Sequence, residues 1–252
     1  MQAYNPSFAR IYNMRWNGFA NQTAPRLREC FEGTPLGQVN RHMLDLCCGA
    51  GHLALHFLDQ GYFVTGLDLS DAMLRYAREN TAPYVITGQI RFVQGDAAHF
   101  SLDERFGLVV STFDALNHLP DWPSLVSCFE CVSAHLEEGG MFIFDLNTRH
   151  ALSRWTGISL EDTPEMMLVI RSLYDEASER AFMRVSGFVA VEDGRYERFE
   201  ETAYEMAFDM QAIHSALLKC GFKSVRFTRG HDLHTPVTDP ERESRIFIVA
   251  EK

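Results

Sequence analysis

Hydrophobic positions recur at two different spacings along this chain, and the switches between them divide it into parts. Over roughly the first forty residues, Phe8, Tyr12, Trp16 and Phe19 repeat at intervals of three and four, which places them on one helix face. Such a stripe serves either core packing or a lid over a site. Gly33, Pro35 and Gly37 break it. From residue 41, short apolar runs alternate with amphipathic stretches. Strands are predicted over 42–47, 62–67, 90–94, 108–112 and 141–146. Helices are predicted over 51–60, from the N-cap Ser70 onward, and from Asp121 to a stop at Gly139-Gly140. After Leu152 the spacing changes to extended segments at 166–174, 181–191 and 196–208, the last two joined by the turn Glu192-Asp193-Gly194. A helix capped by Asp209 and closed by Gly221 follows, then strands over 222–228 and 245–250. The connection 229–243 is too long for a turn and is expected to reach toward the site.

Strands alternating with helices at this spacing predict an α/β fold, a parallel sheet with helices on both faces. The organisation expected is a helical lid over 1–40, a nucleotide-type domain over 41–150 and 209–252, and a small antiparallel insertion over 151–208 roofing the substrate side.

Composition narrows the partners. The 252 residues are 46% hydrophobic, enough to fill a core, and carry a net charge of -11 with no basic run. Nucleic acid and anionic membrane surfaces are therefore disfavoured, and a cationic cofactor or amine substrate is weakly favoured. No stretch has the pattern of a membrane span or a signal peptide. Six cysteines, several inside apolar patterns, predict no disulfide framework, so a reducing, cytoplasmic setting is expected, with the chain a monomer or homodimer.

The chemistry starts at Gly49-Ala50-Gly51, where the first strand turns into a helix. Glycine permits the tight turn and close ligand approach, with helix N-terminal amides facing the ligand. Gly49, Gly51 and Ala54 also fit the dinucleotide template G-x-G-x-x-G/A, with Asp68 near the distance expected for a ribose contact, so a nicotinamide-dependent oxidoreductase is a competing reading. Three carboxylates shift the balance. Asp45 lies inside the first strand and needs a partner such as an ammonium. Asp68 and Asp96 end the next two strands. A phosphate-rich dinucleotide has no obvious use for all three, whereas a sulfonium cofactor without phosphates tolerates them.

Leu44 to Gly51, Gly66-Leu67-Asp68-Leu69-Ser70, Asp71-Ala72-Met73-Leu74 and Gly95-Asp96 together resemble the motifs of class I S-adenosylmethionine-dependent methyltransferases. The resemblance covers roughly residues 4 to 150 and, more loosely, the last helix and strand pair. It implies a Rossmann-like seven-stranded sheet in the order 3-2-1-4-5-7-6, with strand 7 antiparallel. It also implies S-adenosylmethionine as cofactor, S-adenosylhomocysteine as product, and a cofactor site made of Tyr12, Asp45, Cys47, Gly49, Ala50, Gly51, Asp68, Leu69, Met73, Gly95, Asp96, Ala97, Thr112 and Phe113. The opening Phe8 to Asn13, the segment Phe113 to Leu119 and the stretch Gly140 to Thr148 are most similar to amino-sugar N-methyltransferases and glycine N-methyltransferase-like enzymes. The expected reaction is methyl transfer to nitrogen or oxygen of a small molecule. A non-catalytic adenosyl-ligand-binding protein is a third reading.

Methyl transfer mainly needs alignment and exclusion of water; a hydroxyl acceptor, unlike a neutral amine, would also benefit from a base. His118 and Tyr12 are the candidate catalytic residues. Trp16, Asn117, His118 and Arg149 are the candidate substrate contacts, and His231 and His234 are further bases to weigh. Cys128-x-x-Cys131 lacks a second ligand pair and His231-x-x-His234 lacks acidic or Cys company, so no metal is expected.

Overall fold

The computed structural model describes residues 4–191 and 194–252. Of the turn read at Glu192-Asp193-Gly194, the first two residues lie outside the described ones.

Capping residues start the helices where the sequence places them. Asn5 accepts from the Phe8 amide at 2.9 Å and Pro6 opens α1 (Pro6–Arg15), because proline's fixed φ suits a first turn. α2 (Gly18–Glu32) follows at once, so the aromatic stripe is split between two helices. Five parallel strands then build inward from sequence: β1 (His42–Leu46), β2 (Phe63–Asp68), β3 (Ile90–Gln94), β4 (Phe106–Ser111) and β5 (Leu136–Asn147). Between them run α3 (His52–Asp59), α4 (Asp71–Asn80), the short α5 (Ala82–Thr87) and α6 (Trp122–His135). α6 does not run on to Gly139-Gly140: β5 begins at Leu136, and those glycines lie within the strand. α7 (Arg149–Leu152) leads to a separate antiparallel sheet, β6 (Gly157–Asp162), β7 (Met166–Asp175), β8 (Arg180–Ala190) and β9 (Tyr196–Met206). β6 is a fourth strand beyond the three expected; its positions are mostly exposed, so it carries no alternating pattern.

α8 (Met210–Lys219), β10 (Ser224–Arg229), β11 (Asp232–Pro236) and β12 (Arg245–Glu251) complete the main sheet. Its order is β3-β2-β1-β4-β5-β12-β10-β11, with β12 antiparallel to β5 and β10 antiparallel to β12. The expected seven strands are present in the expected order, and β11 adds an eighth at the edge. That strand accounts for the long connection 229–243. Leu233 packs it against the cluster containing α2, away from the cavity described below.

Strand alternation sorts the core into two layers. Leu44, Leu46, Val109, Phe142, Phe144, Ile246 and Ile248 face α6 and α8, packing with Phe129, Val132, Ile213 and Leu217. Met43, Leu108, Val110, Ile143 and Val249 face α2 and α3, packing with Leu27, Phe31, Phe57 and Leu58. α1 joins the two sheets. Phe8 and Ile11 bury against Leu168, Val185 and Phe199 of the antiparallel sheet, while Ala9 packs on Met73 of α4. Polar latches hold it: Asn5 Nδ2 donates to Glu201 Oε2 at 2.6 Å, Arg10 to the Ala190 carbonyl at 2.9 Å, and Asn80 Nδ2 to Asn13 Oδ1 at 2.7 Å.

Candidate active site

The strand ends β1, β2, β4 and β5 open onto one cavity of about 260 Å³, covered by α1 and the inner face of the antiparallel sheet. Its floor is the glycine turn. Gly49 (φ 53°) and Gly51 (φ 77°) occupy the left-handed region, where a side chain is strained. A Cβ at Gly49 would lie 3.6 Å from the Tyr12 ring, and one at Gly51 would press on Ala77 at 3.2 Å. Cys47 holds the same conformation (φ 61°) without glycine's freedom, a strain of about 1–2 kcal/mol.

Two carboxylates flank the turn. Asp68 Oδ2 accepts from the Gly49 amide at 2.9 Å, and Oδ1 accepts from the Ser70 amide at 2.8 Å. Burial raises its pKa and these amides oppose the rise. Asp45 is 2% exposed and its Oδ2 has no partner. Burial first, then the neighbouring Asp68 charge, push its pKa up to about 7. A buried, unpartnered carboxylate oxygen in a small annex lined by Tyr12, Trp16, Ala50, His52 and Thr112 is matched to a cationic group. The turn, Asp45 and Asp68 therefore fit the amino-acid end and the ribose of an adenosyl sulfonium. Leu69 and Met73 line the adjoining wall, and the aromatic rings of Tyr12 and Trp16 lie 5.6 Å apart over the turn. Gly95, Asp96 and Ala97 do not line the cavity; Asp96 Oδ1 accepts from the Ala98 amide at 2.9 Å.

The opposite wall comes from the segment after β4. Phe113 (φ 65°) and Asp114 (φ 52°) are successive left-handed residues. Asp145 of β5, fully buried, holds both: its Oδ1 accepts from the Phe113 amide at 2.6 Å and its Oδ2 from the Asp114 amide at 3.1 Å. Arg245 of β12 pairs with Asp145 and, at 2.5 Å, with Asp114, while its guanidinium lies 5.0 Å from the Phe19 ring centre. Next come the 3-10 turn Ala115–His118 and its terminal histidine. His118 Nδ1 lies 2.8 Å from the Tyr204 carbonyl. A carbonyl only accepts, so Nδ1 carries the proton and Nε2 keeps its lone pair, 3.4 Å from the Tyr4 hydroxyl. Burial lowers the His118 pKa, keeping the ring neutral near neutral pH. Glu205, reaching in from β9, is 2% exposed and its Oε2 accepts from Asn147 Nδ2 at 2.8 Å.

The structure thus brings Tyr12, Trp16, Cys47, Gly49, Asp68, Leu69, Met73, Thr112, Phe113 and His118 onto one cavity, with Asp45 and Ala50 in the annex and Gly51 behind the turn at the start of α3. Two proposed substrate contacts fall elsewhere. Asn117 is fully buried, donating to the Asn147 and Met206 carbonyls at 3.0 and 2.8 Å, and so fastens β5 to β9. Arg149 pairs with Glu179 at 3.0 Å on a separate, open groove, because α7 carries it away from the sheet edge. His231 and His234 are also absent from the lining. Sequence reasoning missed Tyr4, Asp114, Asn147, Glu205 and Arg245, all on the cavity. Glu205 had a legible signal: it shares the inward parity of Phe199 and Ala203 on β9.

A Rossmann-like sheet with an acid-flanked glycine turn and a cavity at its strand ends is the arrangement of a methyltransferase fold. Residues 43–140 match the family model described as methyltransferase domain. The chain is 27% identical over 213 residues to the Bacillus subtilis (strain 168) protein named "Putative methyltransferase YqeM", covering 83% of each. It is 31% identical over 103 residues, 41% of each chain, to the dTDP-3-amino-3,4,6-trideoxy-alpha-D-glucopyranose N,N-dimethyltransferase of Streptomyces venezuelae. A solved S-adenosylmethionine-dependent methyltransferase from Clostridium acetobutylicum ATCC 824 shares the fold with a TM-score of 0.78 at 24% identity, over 97% of both chains. Residues 43–140 thus carry a methyltransferase domain, and most of the chain is similar in sequence and fold to proteins named methyltransferases. The nicotinamide reading of the turn is set aside, since the matched domain and the relatives are methyltransferases. No helix among the described residues is long and apolar enough to cross a membrane.

Proposed function

We propose that this methyltransferase methylates the nitrogen of a small basic amine held between the glycine turn and the antiparallel sheet. The observation that carries this reading is the charge of the cavity wall: among the described residues Asp68, Asp114 and Glu205 face it, against the guanidinium of Arg245. A buried wall with excess carboxylate favours a cation. The Streptomyces relative named above, an N,N-dimethyltransferase of an amino sugar, supports the same choice.

When bound, S-adenosylmethionine supplies a methyl group on a cationic sulfur, which passes to the acceptor nitrogen while the electron pair of the broken S–C bond stays on sulfur. Asp45, the Gly49 turn and Asp68 would hold it. Tyr4, Phe8, Tyr12 and Trp16 close the cavity from above and exclude water. His118 Nε2 is the one neutral basic atom on the acceptor wall; it takes a proton from the acceptor, and Asp114 stabilises the positive charge that develops. The same Nε2 would serve a hydroxyl acceptor, so hydroxyl compounds belong in the test.

The test is S-adenosylhomocysteine formation with shape-matched amines and alcohols. Turnover confined to amines supports the reading. Turnover of alcohols alone overturns it, and cofactor binding with no turnover of either returns the chain to the non-catalytic reading.

A further inference from the structure

The ligand atoms of Asp114, His118 and Glu205 all lie within 4.8 Å of one another; Glu205 arrives from β9 of the antiparallel sheet, whereas the other two stand on the turn that follows β4. Glu205 lies in the low-dielectric interior beside the Asp114 carboxylate, and both burial and that neighbouring charge favour its protonated form. The Glu205 carboxyl is thereby held well above its ordinary range. The remaining contacts of the cluster are fixed: Arg245 takes one side of Asp114, Asn147 orients Glu205, and the Tyr204 carbonyl orients His118. What faces the cavity is the free side of the Asp114 carboxylate, the Glu205 carboxyl and His118 Nε2, which the Tyr4 hydroxyl approaches to 3.4 Å, with Arg245 on the far side of Asp114.

We propose that Glu205 and Asp114 form a two-carboxylate socket in which the acceptor's ammonium takes the place of the Glu205 proton, making Glu205 the residue that selects amine over alcohol. The inference rests on the amine reading above. Binding exchanges protons in a defined order. The ammonium arrives, its N–H groups donate to Glu205 and Asp114, and the Glu205 proton leaves to solvent. One N–H bond then breaks toward His118 Nε2, a new Nε2–H bond forms, and the electron pair stays on nitrogen as the nucleophile. An alcohol brings no charge to replace the proton and leaves the pair as it was.

The other titratable and charged groups facing the pair are Tyr4 just before α1, Tyr12 from α1, Asp68 from β2, His118, Asp145 from β5 and Arg245 from β12. The experiment therefore counts protons directly. Cyclohexylamine and its neutral isostere cyclohexanol are titrated calorimetrically into the chain saturated with S-adenosylhomocysteine, in buffers of differing ionisation enthalpy. Wild type should bind the amine at least about tenfold more tightly, as charge-assisted hydrogen bonds allow, with net proton release. Glu205→Gln should bring the two within about twofold while S-adenosylhomocysteine affinity stays at the wild-type level. Equal affinity for the two probes in wild type, or a preference kept in Glu205→Gln, overturns the socket. Should that variant fail to fold, the wild-type proton count decides: amine binding without proton release overturns it. Amine turnover with the preference intact in Glu205→Gln sinks the socket alone, whereas a chain that binds no S-adenosylhomocysteine sinks the amine reading with it.

Discussion

The Gly49 amide donates to Asp68 Oδ2 at 2.9 Å, tying the end of β1 to the end of β2 across the mouth of the cofactor turn. The Ser70 amide holds the other oxygen, so the Asp68 carboxylate is fixed at both ends, with its remaining lone pairs facing the cavity. The side chain that would meet a ribose also sets the shape of the turn that would meet the rest of the cofactor.

Asp68→Ala therefore removes a turn support and a ligand contact at once. S-adenosylhomocysteine binding should weaken by about 1–3 kcal/mol, the range for hydrogen bonds to a charged group. Calorimetry on the folded variant checks this, and unchanged affinity contradicts the assignment.

Asp45 gives a pH signature. Its carboxyl titrates near 7 because burial disfavours the charge, yet only the carboxylate attracts an ammonium. Cofactor affinity should rise as pH increases through about 7 and then level off. The stability sign is opposite. A carboxyl whose folded pKa is raised stabilises the fold below its unfolded pKa and loses that contribution as pH climbs toward 7. Asp45→Asn should thus stabilise the cofactor-free chain at neutral pH by on the order of 1–3 kcal/mol while weakening cofactor binding. Urea denaturation alongside calorimetry measures both; a destabilised variant would contradict the argument.

Arg245→Met should be severe. It leaves Asp114 and Asp145 buried without their cation and the left-handed Phe113-Asp114 pair less firmly held. Breaking a buried pair in this way costs about 3–5 kcal/mol. A chemical denaturation midpoint within error of wild type would show that the Asp145 hydrogen bonds suffice alone.

Arg149→Ala should change little. Arg149 and Glu179 are each 46% exposed, and a surface pair contributes at most about 1 kcal/mol. Turnover and acceptor KM should match wild type; a raised KM for an anionic acceptor would return Arg149 to the substrate site.

Local pattern determined much of this protein. Period-two and period-3.6 spacing located every strand of the main sheet but β11, and glycine at positions 49 and 51 marked the turn proposed to meet the ligand. Asp45 and Asp68 were legible because a carboxylate at a strand position beside such a turn has few structural uses. The acceptor wall was not legible. Asp114, Glu205 and Arg245 come from three segments, 91 and 40 positions apart in sequence, and nothing local to any of them signals the others. Their meeting depends on β12 pairing with β5, which sets Arg245 opposite Asn147, and on β9 folding back over the 3-10 turn. Asn117 and Arg149 were misplaced for the same reason: spacing fixes which face a side chain takes, but only packing decides what stands opposite that face. The glycine turn could be read from the sequence because its constraint is local and steric. The cluster opposite it is a property of long-range contact, and the tertiary structure alone decided it.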